Sequence, residues 1–145
     1  MWSPLHISDH LSMNDYGSKF HDGFVDGFLL RGTQAIVFLR TQGNEAFALV
    51  ADDVAKMRVD SLMEGNIIFD IVMRQGHELT MSDVDVYGFV AGPLGEKQAS
   101  EKLEWLRTEN RVALEINPSY GCECFLIARA VTLVPRSELR SLNLW

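Results

Sequence analysis

Apolar residues in this chain come in short runs of extended character, one after another from about residue 20 to residue 134. Only one stretch, residues 96–110, carries helical periodicity. Such a pattern predicts an α+β fold, mostly antiparallel β (a sandwich or partly open barrel of about eight strands), with one amphipathic helix packed on the sheet. Domains of this kind work through a face, an edge or a loop.

The 145 residues form one domain by length, 1–145, with 1–19 as an irregular or short helical lead-in. No apolar run approaches the ~18 residues of a membrane span. The opening Met1-Trp2-Ser3-Pro4 has no cationic segment followed by an apolar one, so no signal peptide is expected and the cytoplasm is the default location. Net charge is −7, and residues 42–92 hold nine acids against three bases. That imbalance disfavours nucleic acid, which needs clustered Lys and Arg, while a basic protein partner is allowed. Cys122 and Cys124 fall on one side of a strand and suit reduced core thiols. A lone C-x-C pair falls short of a zinc site's usual four ligands, so no metal and no cofactor are expected.

Strands are predicted at about 21–31, 34–41 and 45–51, forming a meander. Its turns, Arg31-Gly32-Thr33-Gln34 and Thr41-Gln42-Gly43-Asn44, would take their positive φ from glycine. The second and third strands are apolar on nearly both faces and are expected at the centre. Further strands are expected at 57–60, 67–74, 84–90, 112–116 and 124–134. In the run 67–74, alternation puts Ile67, Phe69, Ile71 and Met73 on one face, with Asp70 and Arg74 on the other. Ala99, Leu103 and Leu106 make the apolar stripe of the helix, and Trp105 lies off its centre.

Two constellations stand out as binding candidates. His21 beside Asp22 opens the first strand, although an extended dipeptide points the two side chains to opposite faces. Gly23 and Gly27 nearby suit bulges or close backbone approach. Glu115, Asn117, Ser119 and Tyr120 bring a carboxylate, an amide, a hydroxyl and a phenol into six residues around Pro118. Loops held by a rigid scaffold are where such groups bind, and the same residues also serve turn chemistry. Asp52, Asp53, Asp60, Glu64 and Asp70 lack the spacing of a calcium loop and read as solvated acids. Phosphate-loop and nucleophile-elbow signatures are missing, so no catalytic residue is assigned.

The His21-Asp22-Gly23-x-Val25 opening, the meander after it and the late Pro118-Ser119-Tyr120-Gly121 turn resemble small uncharacterised bacterial β-rich domains with an early His-Asp motif. Some of those are similar to immunity proteins of toxin competition systems. What the resemblance implies is a stand-alone module that binds another protein, and it supplies no catalytic residues.

Two functional readings follow. In the first, the chain is a small binding module that docks a protein partner through a sheet face, an edge or the 117–121 loop, with Tyr87, Trp105 or Tyr120 as anchors. In the second, it is a small enzyme or ligand-binding domain in which His21 and Glu115 line a pocket, His21 acting as base. An exposed strand edge also allows a homodimer under either reading.

Overall fold

The computed structural model describes residues 5–6, 19–86 and 95–140. Nine strands are present: β1 (Leu5–His6), β2 (Phe24–Arg31), β3 (Gln34–Arg40), β4 (Ala46–Asp52), β5 (Lys56–Asp60), β6 (Asn66–Gln75), β7 (Val112–Tyr120), β8 (Glu123–Ala128) and β9 (Ala130–Pro135). They join in one antiparallel sheet in the order β1-β9-β4-β3-β2-β6-β7-β8-β5. Two helices accompany them, α1 (Met81–Val86) and the longer α2 (Glu96–Thr108). The fold is therefore mostly antiparallel β with one main helix.

Both meander turns form, and each shows where the left-handed residue falls. Gly32 takes φ +56° between the Arg31↔Gln34 pair, whereas in the second turn Asn44, not Gly43, carries the positive φ of 72°. Asparagine tolerates that region nearly as well. β3 and β4 lie inside the order, and their two faces feed different cores, as their all-apolar sequences require. Ala35, Val37 and Leu39 point into the main core; Ile36 lies in a smaller cluster with Ala48, Val50, Val134 and Leu139.

The main core draws on β2, β3, β4 and β9 from one half of the sheet and on β6, β7 and β8 from the other. In the sheet ladder the halves are joined by two β2–β6 pairs, Phe24↔Ile67 and Val25↔Asn66. Asn66 seals this junction. It is buried, accepts from the Met63 and Cys122 amides (2.8 and 2.9 Å), and donates to the Met63 and Val25 carbonyls (2.7 and 3.4 Å). Gly121, at φ +84° in the β7–β8 turn, lets the Asn66 carboxamide approach where a Cβ would collide with it.

α2 buries Ala99, Leu103 and Leu106 against Ala113, Phe125 and Ile127 on the outer face of β7 and β8, together with Leu79 and Val84. Trp105 packs at the margin of that contact, under the guanidinium of Arg111. The helix stops short of the expected end because Asn110 turns left-handed (φ +49°) and Arg111 N–H returns to the Leu106 carbonyl at 2.9 Å.

Three expectations are corrected. Residues 117–120, expected in the loop that joins the last strands, extend β7 to Tyr120. Residues 84–86 of the strand expected at 84–90 are helical instead. Thr80 and Asp83 form a reciprocal cap (Thr80 N–H to Asp83 Oδ2 2.7 Å, Asp83 N–H to Thr80 Oγ1 3.4 Å), and these local bonds outweigh the weak alternation of Val84 and Val86. Residues 87–90 lie outside the described residues. The single strand expected at 124–134 is two strands. Arg129 leaves the ladder between them, donating its N–H to the Asp52 carbonyl at 2.9 Å, and the chain passes from the β5–β8 side of the sheet to the β4–β9 side. Of the expected lead-in, Leu5–His6 pairs with β9 and 7–18 lie outside the described residues.

Cys122 and Cys124 are free and buried in the main core. Burial pushes the Cys124 thiol up to about 12, and burial with the nearby Asp60 and Glu123 charges raises Cys122 as well.

Candidate functional site

The β6–β7 ladder is regular from Gln75↔Val112 to Asp70↔Asn117, then skips twice. Ile68 faces Pro118 and Ile67 faces Tyr120, so Phe69 and Ser119 have no partner across the ladder. Phe69 is thus a bulged residue, and a bulge sets two successive side chains on one side of the sheet. Ile68 is fully buried, Phe69 is 54% exposed, and Asp70 follows it outward to accept from Asn117 Nδ2 at 2.8 Å. The expected apolar face of this strand is corrected accordingly: Ile68, Ile71 and Met73 point inward and Phe69 points to solvent.

The chain just ahead of β2 fastens this bulge from the other side. Asp22 N–H donates to the Ile68 carbonyl and Ile68 N–H to the Gly23 carbonyl, both at 2.9 Å, with Asp22 at φ +60°. His21 follows the line. Its Nδ1 lies 2.8 Å from the Phe69 carbonyl, which can only accept, so Nδ1 carries the hydrogen. The imidazole also meets the Phe69 ring edge-on at 5.7 Å, and its Nε2 lies 3.6 Å from Asp22 Oδ2. Gly23 is buried because the backbone of Arg40 occupies the place of a Cβ, the close approach its sequence context suggested.

Five of the six candidate residues therefore converge on positions 67–70 of β6. His21 and Asp22 arrive from the β2 side, and Asn117, Ser119 and Tyr120 from the β7 side. Tyr120, 50% exposed, sits diagonally from Phe69 through its pairing with Ile67. Leu62 and Met63 are also exposed, just ahead of Asn66. Glu115 lies farther along, opposite Val72, three residues and about 10 Å from the His21 attachment. Its carboxylate is 3.6 Å from the Arg74 guanidinium, which binds Asp83 at 2.8 Å and so ties β6 to α1. Burial raises the Asp83 carboxyl, but hydrogen bonds from Thr80 and Arg74 outweigh that and hold it below its usual range. No hydrogen bond or ion pair joins His21 to Glu115 among the described residues. Of the three expected anchors, Tyr120 is on this surface, Trp105 is packed beneath Arg111, and Tyr87 lies outside the described residues.

Phe69, Leu62 and Met63 were not site candidates in the sequence, and Asp70 was read there only as a solvated acid. No signal for the bulge was available, because 67–69 and 71–73 are apolar at every position and regular alternation accommodates them without an extra residue.

Three other groups of residues frame the molecule. A second bulge, in β2 between Val25 and Gly27, leaves Asp26 unpaired in the ladder. Its carboxylate takes Arg40 (3.1 Å) and Arg136 (3.0 Å). Burial would raise this carboxyl, but bonds and charge from the two guanidiniums hold it below its ordinary value. Beside it lies a cavity of about 460 Å³, lined by Asp26, Phe38, Arg136, Ser137, Leu139 and Arg140. Neither His21 nor Glu115 lines it. The third group is Arg111, 5% exposed, which binds Asp53 Oδ2 at 3.0 Å and Glu109 at 3.2 Å. Asp53, also bound by Arg129 at 2.6 Å, is a solvent-facing acid whose carboxyl is held low by those partners. Among the described residues no three His, Cys, Asp or Glu side chains gather as metal ligands, and no helix is long and apolar enough to cross a membrane.

Comparison with protein-family models, with curated proteins and with solved structures found no match.

Proposed function

We propose that this chain is a small binding module that docks a protein partner through the bulged end of β6, in a role like that of an immunity protein. The single observation that carries this reading is Phe69. A regular strand would turn that ring into the core; the bulge presents it to solvent, and His21 holds the bulge in place. An aromatic held on a strand loses little entropy when a partner covers it. Phe69 and Tyr120, flanked by Leu62 and Met63, have the composition of an interface centre. Asp22 and Asp70 border them, so a basic partner fits best, drawn in by the acidic middle of the chain. The curled sheet behind this face, read as a partly open barrel, supplies the rigid support.

The test is capture of binding partners on the tagged full-length chain at moderate salt, with variants run in parallel. Phe69→Ala combined with Tyr120→Ala is expected to weaken capture of any stoichiometric partner by about tenfold or more. Leu30→Ala, at the remote β2–β3 hairpin, is expected to leave it unchanged. Equal capture by all three proteins would sink the reading.

A further inference from the structure

The cavity beside Asp26 has a composition at odds with the rest of the molecule. The chain carries a net charge of −7, yet two arginines, Arg136 and Arg140, line this cavity with Asp26 as the one acid, and Arg40 also binds that carboxylate. Asp26 thus engages Arg40 and Arg136. Arg136 is fixed further by a 2.9 Å bond to the Leu39 carbonyl, and its guanidinium lies 5.4 Å from the centre of the Phe38 ring. Arg140 is exposed at the cavity and has no acidic partner among the described residues. Phe38 and Leu139 supply the apolar lining, and Ser137 also lines the cavity. A volume of about 460 Å³ is ample for a small ligand.

An exposed guanidinium beside a recess with an apolar lining matches one ligand shape: a small carboxylate with an apolar body. The planar fork of arginine meets a carboxylate with two parallel hydrogen bonds, while the body displaces water from Phe38 and Leu139. Asp26 would repel such a ligand if it were free, but Arg40 and Arg136 neutralise it with charge to spare. We infer that this cavity is a binding site for an amphiphilic carboxylate, with Arg140 taking the anion and Phe38 and Leu139 taking the apolar body. The site stands apart from the β6 surface and does not depend on it.

The full-length chain is to be titrated with octanoate, octanol and octylamine by calorimetry and by amide chemical shifts. Octanoate is expected to bind with a dissociation constant at or below roughly 1 mM, shifting resonances of Phe38, Ser137 and Leu139, with octanol at least about tenfold weaker and octylamine weaker still. Arg140→Gln, an exposed change, is expected to weaken octanoate about tenfold without moving the thermal midpoint. Ser137→Trp is expected to obstruct the recess and abolish binding. Equal affinity for octanol and octanoate would overturn the assignment of the anion. Octanoate binding untouched by both variants would overturn the location, and no binding of octanoate at all would overturn the site.

Discussion

The bulges at Asp26 and Phe69 put the same backbone device to opposite uses. At Asp26 in β2, the extra residue turns a carboxylate toward Arg40 and Arg136, which come from β3 and from the turn after β9, and the charge is consumed inside the molecule. At Phe69 in β6, the extra residue turns a ring outward, and only its backbone carbonyl is held, by His21. One bulge joins elements of the fold; the other presents a surface. The difference teaches that a bulge is neutral in itself. The side chain it carries, and whether that side chain finds a partner within the chain, decides between stability and recognition.

The largest effect should come from the residue standing between the two. Asn66→Ala removes the acceptor of the Met63 and Cys122 amides at the β2–β6 junction, and a loss of about 3 kcal/mol is expected. Urea unfolding at unchanged slope reads it. Asp26→Asn comes next, at about 1–2 kcal/mol, since Arg40 and Arg136 lose their charged acceptor. This change carries a pH signature. Because the Asp26 carboxyl sits below its unfolded value, its contribution is complete above about pH 4 and fades as pH falls through the folded value. The parent protein should therefore lose stability below about pH 4 more steeply than the Asn variant. A difference in slope appearing instead near neutrality would contradict this assignment.

His21→Ala should cost about 1 kcal/mol, the value of one hydrogen bond to the bulge carbonyl, while lowering affinity for a captured partner. Phe69→Ala should leave stability within about 0.5 kcal/mol, because half the ring is already solvated. Its effect belongs to binding. Should Phe69→Ala destabilise the chain as much as Asp26→Asn does, the contrast between the bulges would collapse.

Much of the architecture was legible in the sequence, and for physical reasons. Ala35-Ile36-Val37-Phe38-Leu39 is apolar at every position because β3 is covered on both faces, and the helix stripe of Ala99, Leu103 and Leu106 is fixed by a period of 3.6. Glycines at 23 and 27 announced a close approach and a bulge, and both are present. What failed was short-range chemistry competing with pattern: the Thr80–Asp83 cap made a helix of residues expected to extend. The bulge at Phe69 was hidden because alternation assumes one residue per rung. The gathering of His21, Asn117 and Tyr120 was hidden because it depends on which strands become neighbours, and β2 meets β6 across the intervening residues 32–65.

The two buried sulfurs give the protein a reporter of its own opening. A thiol whose pKa is pushed up to about 12, shut away in the main core on β8, has almost no thiolate to offer a labelling reagent near neutral pH while the core is closed. Alkylation of Cys124 should then advance only as fast as the main core comes apart, so a mass increase after a timed pulse counts opened molecules without any added probe.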